Sequence, residues 1–330
     1  VDPKQTPVRI DKFLFDRLQT SRNRIQEAIR DGSITVDLQP VKVSHKVRPG
    51  EIIRLVIPKP DYEDSFLVPE DIPLDIRYED EDLLVLHKPP GMVVHPGVGH
   101  WTGTLVNALA FYLGEDLPVL EGNPSNRIGL VHRIDKDTSG LMVVAKTAEA
   151  STHLAKQFFD HTIERTYHAL VWGDLEEEKG TIEQHIGRDE KNRQNRTVYP
   201  EGDKGKLAIT HYEVLERLYY CTLVKCNLET GRTHQIRVHM QYLGHPLFND
   251  SRYGGDRIRK GTIFSKYKQY VDKIFAVLPR QALHAKSLGF THPRTGERMQ
   301  FDSDLPEDMA KALEMWRSYV AQRKQKNNLL

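Results

Sequence analysis

Hydrophobic residues recur every three or four positions near the amino terminus, which is the spacing of an amphipathic helix. Two groups have this spacing: Ile10, Phe13, Leu14 and Leu18, and then Ile25, Ala28 and Ile29 before Gly32. Three short apolar or alternating runs follow and predict strands: Ile34–Val36, Val41–Val43 and Ile52–Ile57. The pattern therefore predicts a small α/β module of two helices and a short sheet over residues 1–57.

From about residue 73 the pattern alternates between short apolar runs, which favour buried strands, and helical stretches. The predicted strands are Leu83–Leu86, Leu141–Ala145, Ile163–Trp172 and Tyr219–Asn227. Helices are predicted after Thr147, between Thr233 and Gly244, and from Asp304 onward, because Thr and Asp cap helix starts and Gly follows helix ends. The last helix carries an apolar stripe: Leu305, Met309, Leu313, Trp316 and Val320. Residues 73–330 are thus predicted to form a second, larger domain of helices and strands.

Charge is distributed unevenly along the chain. Residues 1–60 carry twelve Lys or Arg and seven Asp or Glu, a net of +5, whereas residues 61–90 carry two and ten, a net of −8. This change coincides with four prolines, Pro58, Pro60, Pro69 and Pro73. Together they predict an inter-domain linker over residues 58–72.

Several stretches of the chain are strongly basic, although its net charge is only +1. Residues 231–270 carry eight basic and two acidic side chains, a net of +6, with Tyr253, Tyr267 and Tyr270 between them. A second group contains Arg188, Lys191, Arg193 and Arg196, and the second predicted helix carries Arg22, Arg24 and Arg30. Positive charge interleaved with aromatic rings is typical of nucleic-acid surfaces, so we expect an RNA or DNA partner.

Several classes of protein are disfavoured by composition. Cys221 and Cys226 are the only cysteines, so we expect two core thiols in a reducing compartment rather than a disulfide framework or a zinc site. The polar amino terminus has no signal-peptide pattern, and no apolar run is long enough to cross a bilayer. We therefore expect a cytoplasmic protein that does not associate with membranes.

Two polar segments could carry chemistry. Residues 132–140 (HRIDKDTSG) place seven polar or small residues directly before a buried strand, and residues 229–240 (ETGRTHQIRVHM) place Arg237 near a helix start with Arg232 just outside it. A loop fixed to a rigid strand can hold a reactive group. Taken alone, however, the first segment also fits a charged surface turn and the second an ordinary amphipathic helix.

Four ordered blocks resemble the pseudouridine synthases of the ribosomal large-subunit family. They are residues 87–97 (HKPPGMVVHPG), 132–140, 165–167 (RTY) and 230–239 (TGRTHQIRVH), with further matches at 280–285 (RQALHA) and 291–293 (THP). Residues 9–14 (RIDKFL), 21–26 (SRNRIQ) and 31–36 (DGSITV) resemble an S4-like RNA-binding domain, although residues 37–40 (DLQP) replace the usual Asn-Gly turn. The resemblance implies an α/β (α+β) catalytic domain with a mixed, mostly antiparallel sheet and a central RNA cleft.

The resemblance also implies an activity and its residues. A uridine in RNA, expected to be large-subunit ribosomal RNA or a pre-ribosomal subunit, would be isomerised by cleavage of its C1′–N1 bond, rotation of the base and formation of a C1′–C5 bond. Asp135 would be the catalytic carboxylate, Arg237 its ion-pair partner and Tyr167 the residue stacked on the base. The expected RNA contacts are Arg133, Arg232, Arg22, Arg24 and Arg193. We expect a monomer that uses no cofactor and no metal.

Three other interpretations remain open at this point. A glycoside hydrolase could use Asp135 and Asp137, since glycosidases place two carboxyl groups about 5–9.5 Å apart. A non-catalytic RNA-binding factor for ribosome assembly would share the basic module. A metal-dependent nuclease is disfavoured because His95, His132 and His239 form no recognisable ligand set. The sequence also leaves open whether Asp135 attacks C1′ or removes a ribose proton to give a glycal.

Overall fold

The chain divides into two compact units, residues 1–66 and 67–330. The computed structural model describes residues 1–3, 5–18, 22–55, 67–97, 99–114 and 129–327, without the side chains of residues 24, 326 and 327. Most of the predicted linker, 58–66, lies outside the described residues. Its remainder belongs to the second unit, where the Asn107 side-chain amide donates to the Val68 carbonyl at 2.9 Å and the Glu70 N–H donates to the Asn107 carbonyl at 3.0 Å.

The first unit is a small α/β module, as the hydrophobic pattern predicts. Its elements are β1 (Val8–Arg9), α1 (Ile10–Phe15), α2 (Arg22–Arg30), β2 (Ile34–Val36), β3 (Gln39–Pro40), β4 (Lys46–Val47) and β5 (Ile53–Leu55). The periodic residues of both helices, including Ile10, Phe13 and Ile25, are buried in one core. The predicted strand Val41–Val43 is wrong: the His45 N–H donates to the Lys42 carbonyl at 2.8 Å, which closes a turn there.

The turn between β2 and β3 keeps a geometry that usually requires Asn-Gly. Asp37 and Leu38 have φ values of 50° and 65°, and Val36 pairs with Gln39 across the hairpin. Two positive φ values are characteristic of the type I′ turn, although Leu is rarely found in this region. Asp37 is held from both sides by Ile52, whose N–H donates to the carboxylate at 2.9 Å and whose carbonyl accepts from the Asp37 N–H at 2.8 Å.

The second unit alternates strands and helices along the chain. In order it contains β6 (Asp75–Glu79), β7 (Leu83–Lys88), α3 (Leu105–Leu113), β8 (Ser139–Ala145), α4 (Ala148–Phe159), β9 (Glu164–Trp172), β10 (Lys179–Arg188), β11 (Arg196–Tyr199), β12 (Lys206–Arg217), β13 (Cys221–Leu228), α5 (Gln235–Tyr242), α6 (Ser265–Val277), β14 (Leu283–Thr291), β15 (Arg298–Asp302) and α7 (Glu307–Asn327). Of the described helices, none is both long enough and apolar enough to cross a bilayer.

These strands form one mixed sheet with ten strands, in the order β11-β10-β12-β13-β9-β14-β8-β7-β6, and β15 pairs with β14. Every pairing is antiparallel except that of β8 with β14, so the predicted mixed, mostly antiparallel sheet is confirmed. Cys221 and Cys226 are buried free thiols on β13, as expected.

One row of residues crosses the middle of the sheet. Lys88 pairs with Gly140, Gly140 with Ala285, Ala285 with Tyr167, and Tyr167 with Cys226. Gly140 has φ +121°, and a Cβ there would lie 2.2 Å from the Ala285 carbonyl oxygen. Only glycine allows so close an approach of the two backbones. The loop that precedes β8 is thereby brought beside Tyr167 on β9.

Helix starts differ from their predicted positions at two of three places. Thr147 caps α4 as predicted, because its side chain accepts from the Ala150 N–H at 3.2 Å. Thr233, however, does not cap α5, which begins at Gln235 after His234. The last helix begins at Glu307 rather than after a cap at Asp304, since the Ala310 N–H donates to the Pro306 carbonyl at 2.9 Å.

The start of α5 is held by a side chain from within the helix. The Gln235 side-chain oxygen accepts from Thr230 Oγ1 at 2.8 Å and from the Arg232 N–H at 2.9 Å, and its amide donates to the Ile209 carbonyl at 2.9 Å. These bonds fix the helix to β12, so an external cap at Thr233 is not needed. At the other end Gly244, with φ +85°, follows the helix as predicted.

Candidate active site

A cavity of about 480 Å³ opens beside the middle of the sheet. Its walls come from the loop before β8, the carboxyl end of α4, the start of β9 and the segment that leads into α5. Asp135, Tyr167 and Arg237, which lie far apart in the sequence, all line it. The fold therefore brings the residues of three separate sequence blocks into one site.

Asp135 is bound by Arg237 at the wall of this cavity. Arg237 Nη1 donates to Asp135 Oδ2 at 2.8 Å, so the two side chains that the resemblance pairs are in contact. The Arg237 side chain is almost completely buried, whereas that of Asp135 is 19% exposed. A charge-assisted bond of this kind fixes the orientation of the carboxylate.

A second carboxylate, Asp250, holds the other side of the same guanidinium. Arg237 Nε donates to Asp250 Oδ2 at 2.7 Å and Nη2 to Oδ1 at 2.9 Å, and the Asp250 side chain is fully buried. Burial would lower the pKa of Arg237, but the bonds to Asp250 and Asp135 outweigh it and raise that pKa above its usual value. Arg237 is thus a fixed cation shared by two aspartates. Asp250 lies outside the recognisable blocks and was missed from the sequence.

Tyr167 forms an apolar part of the cavity wall. It is nearly buried on β9, and burial together with the nearby charge of Asp135 raises the pKa of its phenol, while Arg165 opposes the shift. The phenol is therefore neutral at physiological pH. Arg165 itself is buried, and its Nη2 donates to the carbonyls of Leu228 and Glu229 at 3.3 and 2.9 Å.

The loop that carries Asp135 is anchored by a buried lysine. Lys88 Nζ donates to the Pro89, Met92 and Lys136 carbonyls at 2.7, 2.9 and 2.9 Å, and the Gly91 N–H also donates to the Lys136 carbonyl. Burial lowers the pKa of Lys88 to about 7 despite the opposing charge of Asp137. The lysine ties the upstream block of the family to its aspartate loop. The sequence showed Lys88 within the block 87–97 but gave no sign of its three carbonyl partners.

Arg280 anchors the same loop from the carboxyl-terminal side. Its Nη1 donates to the Asp137 carbonyl at 2.8 Å, and its Nε and Nη2 bind the Asp308 carboxylate at 2.6 and 2.8 Å. Arg280 is buried at the start of the block 280–285. Two buried basic side chains therefore fix the backbone at the two residues that follow Asp135.

His234 faces the free oxygen of Asp135. Its Nε2 lies 3.9 Å from Asp135 Oδ1, and its Nδ1 lies 2.7 Å from the Tyr253 hydroxyl. Burial lowers the pKa of His234 to about 4, although Asp135 opposes the shift, so the ring is neutral at pH 7. Its φ of 59° places a non-glycine residue in the left-handed region, where strain is often found at functional sites.

The predicted RNA contacts are distributed over both units. Arg133 and Arg232 line the cavity, and Arg193 is exposed in the connection between β10 and β11. Arg22 is about half exposed on α2 and binds the buried Asp11 at 2.9 Å. The side chain of Arg24 lies outside what the structure describes, so its predicted contact is not addressed.

The carboxylates that other interpretations require are arranged differently. Asp137, the second acid of the glycosidase hypothesis, does not line the cavity that contains Asp135. Within the described ranges, the one group of acids and histidines close enough to hold a metal is Asp80, Asp82 and His292, on the far edge of the sheet. There His292 Nε2 bonds Asp80 at 2.9 Å and Arg294 binds Asp82 at 2.6 Å, so the charges are already paired.

Comparison with known proteins agrees with this arrangement. Residues 82–242 match the family described as RNA pseudouridylate synthase, and residues 8–53 match the S4 domain. The "Uncharacterized RNA pseudouridine synthase" of Chlorobaculum parvum is 46% identical over 322 residues, which cover 97% of each chain. Ribosomal large subunit pseudouridine synthase D of Pseudomonas aeruginosa is 44% identical over 297 residues, 90% of this chain and 88% of that relative.

A solved structure supports the same assignment. Human RNA Pseudouridylate Synthase Domain Containing 1 is 27% identical and superposes with a TM-score of 0.53, over 72% of this chain and 85% of the human one. Near-complete coverage by relatives of one family, together with the S4 module and the cavity around Asp135, leaves one assignment. The chain belongs to the RNA pseudouridine synthases, RNA-binding isomerases that carry here an amino-terminal S4 domain.

Proposed function

We propose that this enzyme converts uridines of large-subunit ribosomal RNA to pseudouridine with Asp135 as its catalytic carboxylate. The observation that carries the proposal is the position of Asp135 on the cavity wall, with one of its oxygens bound by buried Arg237. The ribosomal substrate is supported by synthases D, such as that of Pseudomonas aeruginosa, which are named for the large subunit.

In the proposed reaction Asp135 acts on the ribose. In one route an Asp135 oxygen attacks C1′ as the C1′–N1 bond breaks, and in the other it takes the C2′ proton as the same bond breaks, which gives a glycal. In both routes the bonding electrons leave with the uracil ring, and the carboxylate stabilises the cation-like sugar while that bond breaks. The rotated ring then bonds C1′ through C5 and loses its C5 proton to solvent, and in the glycal route the C2′ proton is returned to the sugar. Arg237 orients the carboxylate, and Asp250 keeps Arg237 in place. Tyr167, with its neutral phenol, provides the face on which the uracil ring stacks while it rotates.

The target uridine must leave its helix or loop to reach Asp135, at a cost of a few kcal/mol. Unstacked loop nucleotides are therefore the favoured substrates. Arg133 and Arg232, on the cavity wall, are placed to contact the flanking phosphates. Arg193, together with Arg22 and Arg24 of the first unit, completes the set of proposed phosphate contacts.

Isomerisation involves no net transfer of electrons and no hydrolysis, so the side chains already present suffice for the proposed reaction without a cofactor. We also propose that the enzyme is cytoplasmic, which a ribosomal substrate supports. One chain contains Asp135, Tyr167 and Arg237 in a single cavity, so we propose that the monomer is the active species.

The test is tritium release from large-subunit ribosomal RNA labelled at uridine C5, because formation of the C1′–C5 bond expels that hydrogen. We expect release by the wild type, none by Asp135→Asn, and release within about threefold of wild type by Asp137→Asn, which changes a carboxylate in the same loop outside the cavity. Release by Asp135→Asn would exclude the proposed role of this residue. Free uracil among the products would instead indicate a glycoside hydrolase.

A further inference from the structure

An exposed aromatic ring stands at the rim of the active-site cavity. Phe159 is the last residue of α4, lines the cavity and is 82% exposed, the largest exposure among the large hydrophobic residues that the structure describes. Its neighbour Phe158 packs into the wall instead, 4.6 Å from the His132 ring and 5.4 Å below the Arg165 guanidinium. The two adjacent rings therefore have different environments: one supports the wall, and one is left in solvent at the entrance.

The end of α4 is anchored, so the backbone that carries the Phe159 ring is held in place. The Gln157 side-chain amide donates to the Thr291 carbonyl at 2.7 Å, its oxygen accepts from the Thr291 N–H at 2.9 Å, and its backbone carbonyl accepts from the Thr162 N–H at 3.0 Å. Lys156 pairs with Asp160 one turn apart. An aromatic side chain on a fixed backbone has only two torsions to lose when another ring stacks on it.

The same rim carries positive charge and lies where an RNA strand must pass. Arg133 and Arg232 line the cavity with Phe159. When the target uridine leaves its stack, the neighbouring base loses a stacking partner, and aromatic side chains commonly replace such a partner in single-stranded RNA complexes. We propose that Phe159 forms a second subsite, on which the nucleobase adjacent to the target uridine stacks. This inference rests on the proposed function.

Three variants test the subsite in the tritium-release assay with the same ribosomal RNA. We expect Phe159→Ala to lower kcat/KM by about 5- to 100-fold, in line with the loss of one base–aromatic stack, and Phe159→Tyr to retain it. Phe111→Ala is the matched control, because Phe111 is 53% exposed on α3 and does not line this cavity.

The outcomes are separable from those of the proposed function. If the wild type releases tritium and Phe159→Ala has the same kcat/KM, the proposed subsite is overturned and the proposed function is not affected. A wild type that releases none on any ribosomal RNA would overturn both. Once the target is mapped, 2-aminopurine placed beside it should be quenched on binding to wild type and not to Phe159→Ala.

A second observation concerns His234 and the oxygen of Asp135 that Arg237 does not bind. The Tyr253 hydroxyl already accepts the Arg196 N–H at 3.0 Å, so its own proton is available for His234 Nδ1 at 2.7 Å. That arrangement leaves the imidazole proton on Nε2, which faces Asp135 Oδ1. A neutral donor and a carboxylate acceptor are thus set opposite one another across a gap.

One hydroxyl group can bridge the two atoms from the side. At 3.9 Å the two atoms are too far apart for a direct hydrogen bond, whereas an oxygen about 2.8 Å from each would bond both. Such an oxygen must accept a hydrogen bond from His234 and donate one to Asp135. A ribose 2′-hydroxyl can do both, whereas the hydrogen that replaces it in deoxyribose can do neither. The geometry points to the 2′-hydroxyl of the target ribose, next to the reacting C1′, and thus makes His234 a specificity-determining residue that selects RNA over DNA.

The test compares a ribosomal RNA fragment containing the mapped target with the same fragment carrying a single 2′-deoxyuridine there. We expect wild type to prefer the ribose by about 10- to 100-fold in kcat/KM, His234→Phe to show a ratio near one, and His234→Gln, which retains an N–H, to recover part of the preference. This ratio does not depend on the fraction of enzyme that is folded.

The matched control is His161→Phe, because His161 lines the same cavity and has nearly the same φ, 58°. This variant should change kcat/KM by the same factor for both substrates, so the ratio of the two values should stay as in wild type. An unchanged ratio in His234→Phe, in an enzyme whose wild type is active, would overturn this inference without affecting the proposed function. No release by wild type would overturn both.

Discussion

Each unit of the protein contains a carboxylate–arginine centre, and the two centres have opposite compositions. In the small unit one buried aspartate, Asp11, is shared by Arg9 at 3.0 Å and Arg22 at 2.9 Å. In the large unit one buried arginine, Arg237, is shared by Asp135 and Asp250. The first centre has a surplus positive charge and the second a surplus negative charge.

In both centres the surplus charge lies on the solvent side. Arg9 and Arg22 are each 48% exposed while Asp11 is fully buried, and Asp135 is 19% exposed while Asp250 is fully buried. Phosphates are proposed to approach the small unit, and a cation-like sugar is proposed to form beside Asp135. The buried partner in each case holds the exposed group in position, and the exposed group is the one proposed to contact the RNA.

The largest effect is expected from removing the shared arginine. Arg237→Gln leaves Asp250 buried without its cation, and breaking a buried ion pair costs about 3–5 kcal/mol. Urea unfolding should show this loss, and tritium release should fall at least about a thousandfold because Asp135 loses its partner. Arg317→Gln, which removes an exposed pair with Glu216, should cost at most about 1 kcal/mol. Equal losses in the two variants would contradict the comparison.

Asp250→Asn should have the next largest effect. The amide can accept from Arg237 through one oxygen only, so we expect a loss of about 2–3 kcal/mol in the free energy of unfolding. Arg237 would keep its bond to Asp135 but lose its fixed orientation, and kcat should fall about tenfold or more with little change in KM. Unchanged kcat would mean that Asp250 serves stability alone.

Removing the shared aspartate of the small unit should cost less. Burial opposes ionisation of Asp11, but bonds from Arg9, Gln26 and Arg22 lower its pKa from 3.8 to about 2. A lowered folded-state pKa stabilises the protein above pH 4, and this contribution disappears as the pH falls toward 2. Asp11→Asn should therefore lose about 1–2 kcal/mol at pH 7, and the difference from wild type should shrink between pH 4 and pH 2 in urea titrations. A difference independent of pH would contradict the ionic explanation.

The smallest effect is expected from removing Arg22, one of the two exposed arginines that share Asp11 in the small unit. Arg22→Gln should weaken RNA binding about two- to fivefold and reduce the slope of log K against log salt by about one, as expected for one phosphate contact. Arg77→Gln is the control, since Arg77 is 47% exposed but paired with Asp75 in an acidic stretch. Identical salt slopes for the two variants would show that Arg22 makes no phosphate contact.

The sequence predicted two of the three residues of the large centre, and of the small centre it predicted only Arg22, as an RNA contact. Resemblance identified Asp135 and Arg237 because they lie within ordered blocks, whereas Asp250 lies thirteen residues beyond Arg237 in a loop whose backbone turns at Asn249, with φ 56°. Nothing local marks Asp250, because its partner is reached only through the tertiary fold. Lys88 was visible within a block, yet its three carbonyl partners depend on two loops meeting in space.

The predicted start of α5 was wrong for a related reason. Thr233 has the chemistry of a cap, but the Gln235 side chain reaches Thr230 and Ile209 and fixes the start of α5 two residues later. Conversely, the S4-like turn kept its geometry without Asn-Gly, because Ile52 holds Asp37 on both sides. Local propensity is a weak guide wherever a long-range hydrogen bond can replace it.

The position of β14 has a consequence for how the enzyme is made. This strand lies between β8 and β9, and its residues, 283–291, are synthesised after both of them. Until they leave the ribosome, the strand that follows the Asp135 loop and the strand carrying Tyr167 lack the neighbour that pairs with both. The residues of the S4 module are synthesised more than two hundred positions earlier. A nascent chain therefore contains all residues of its S4 module long before it can complete the sheet that supports the Asp135 cavity.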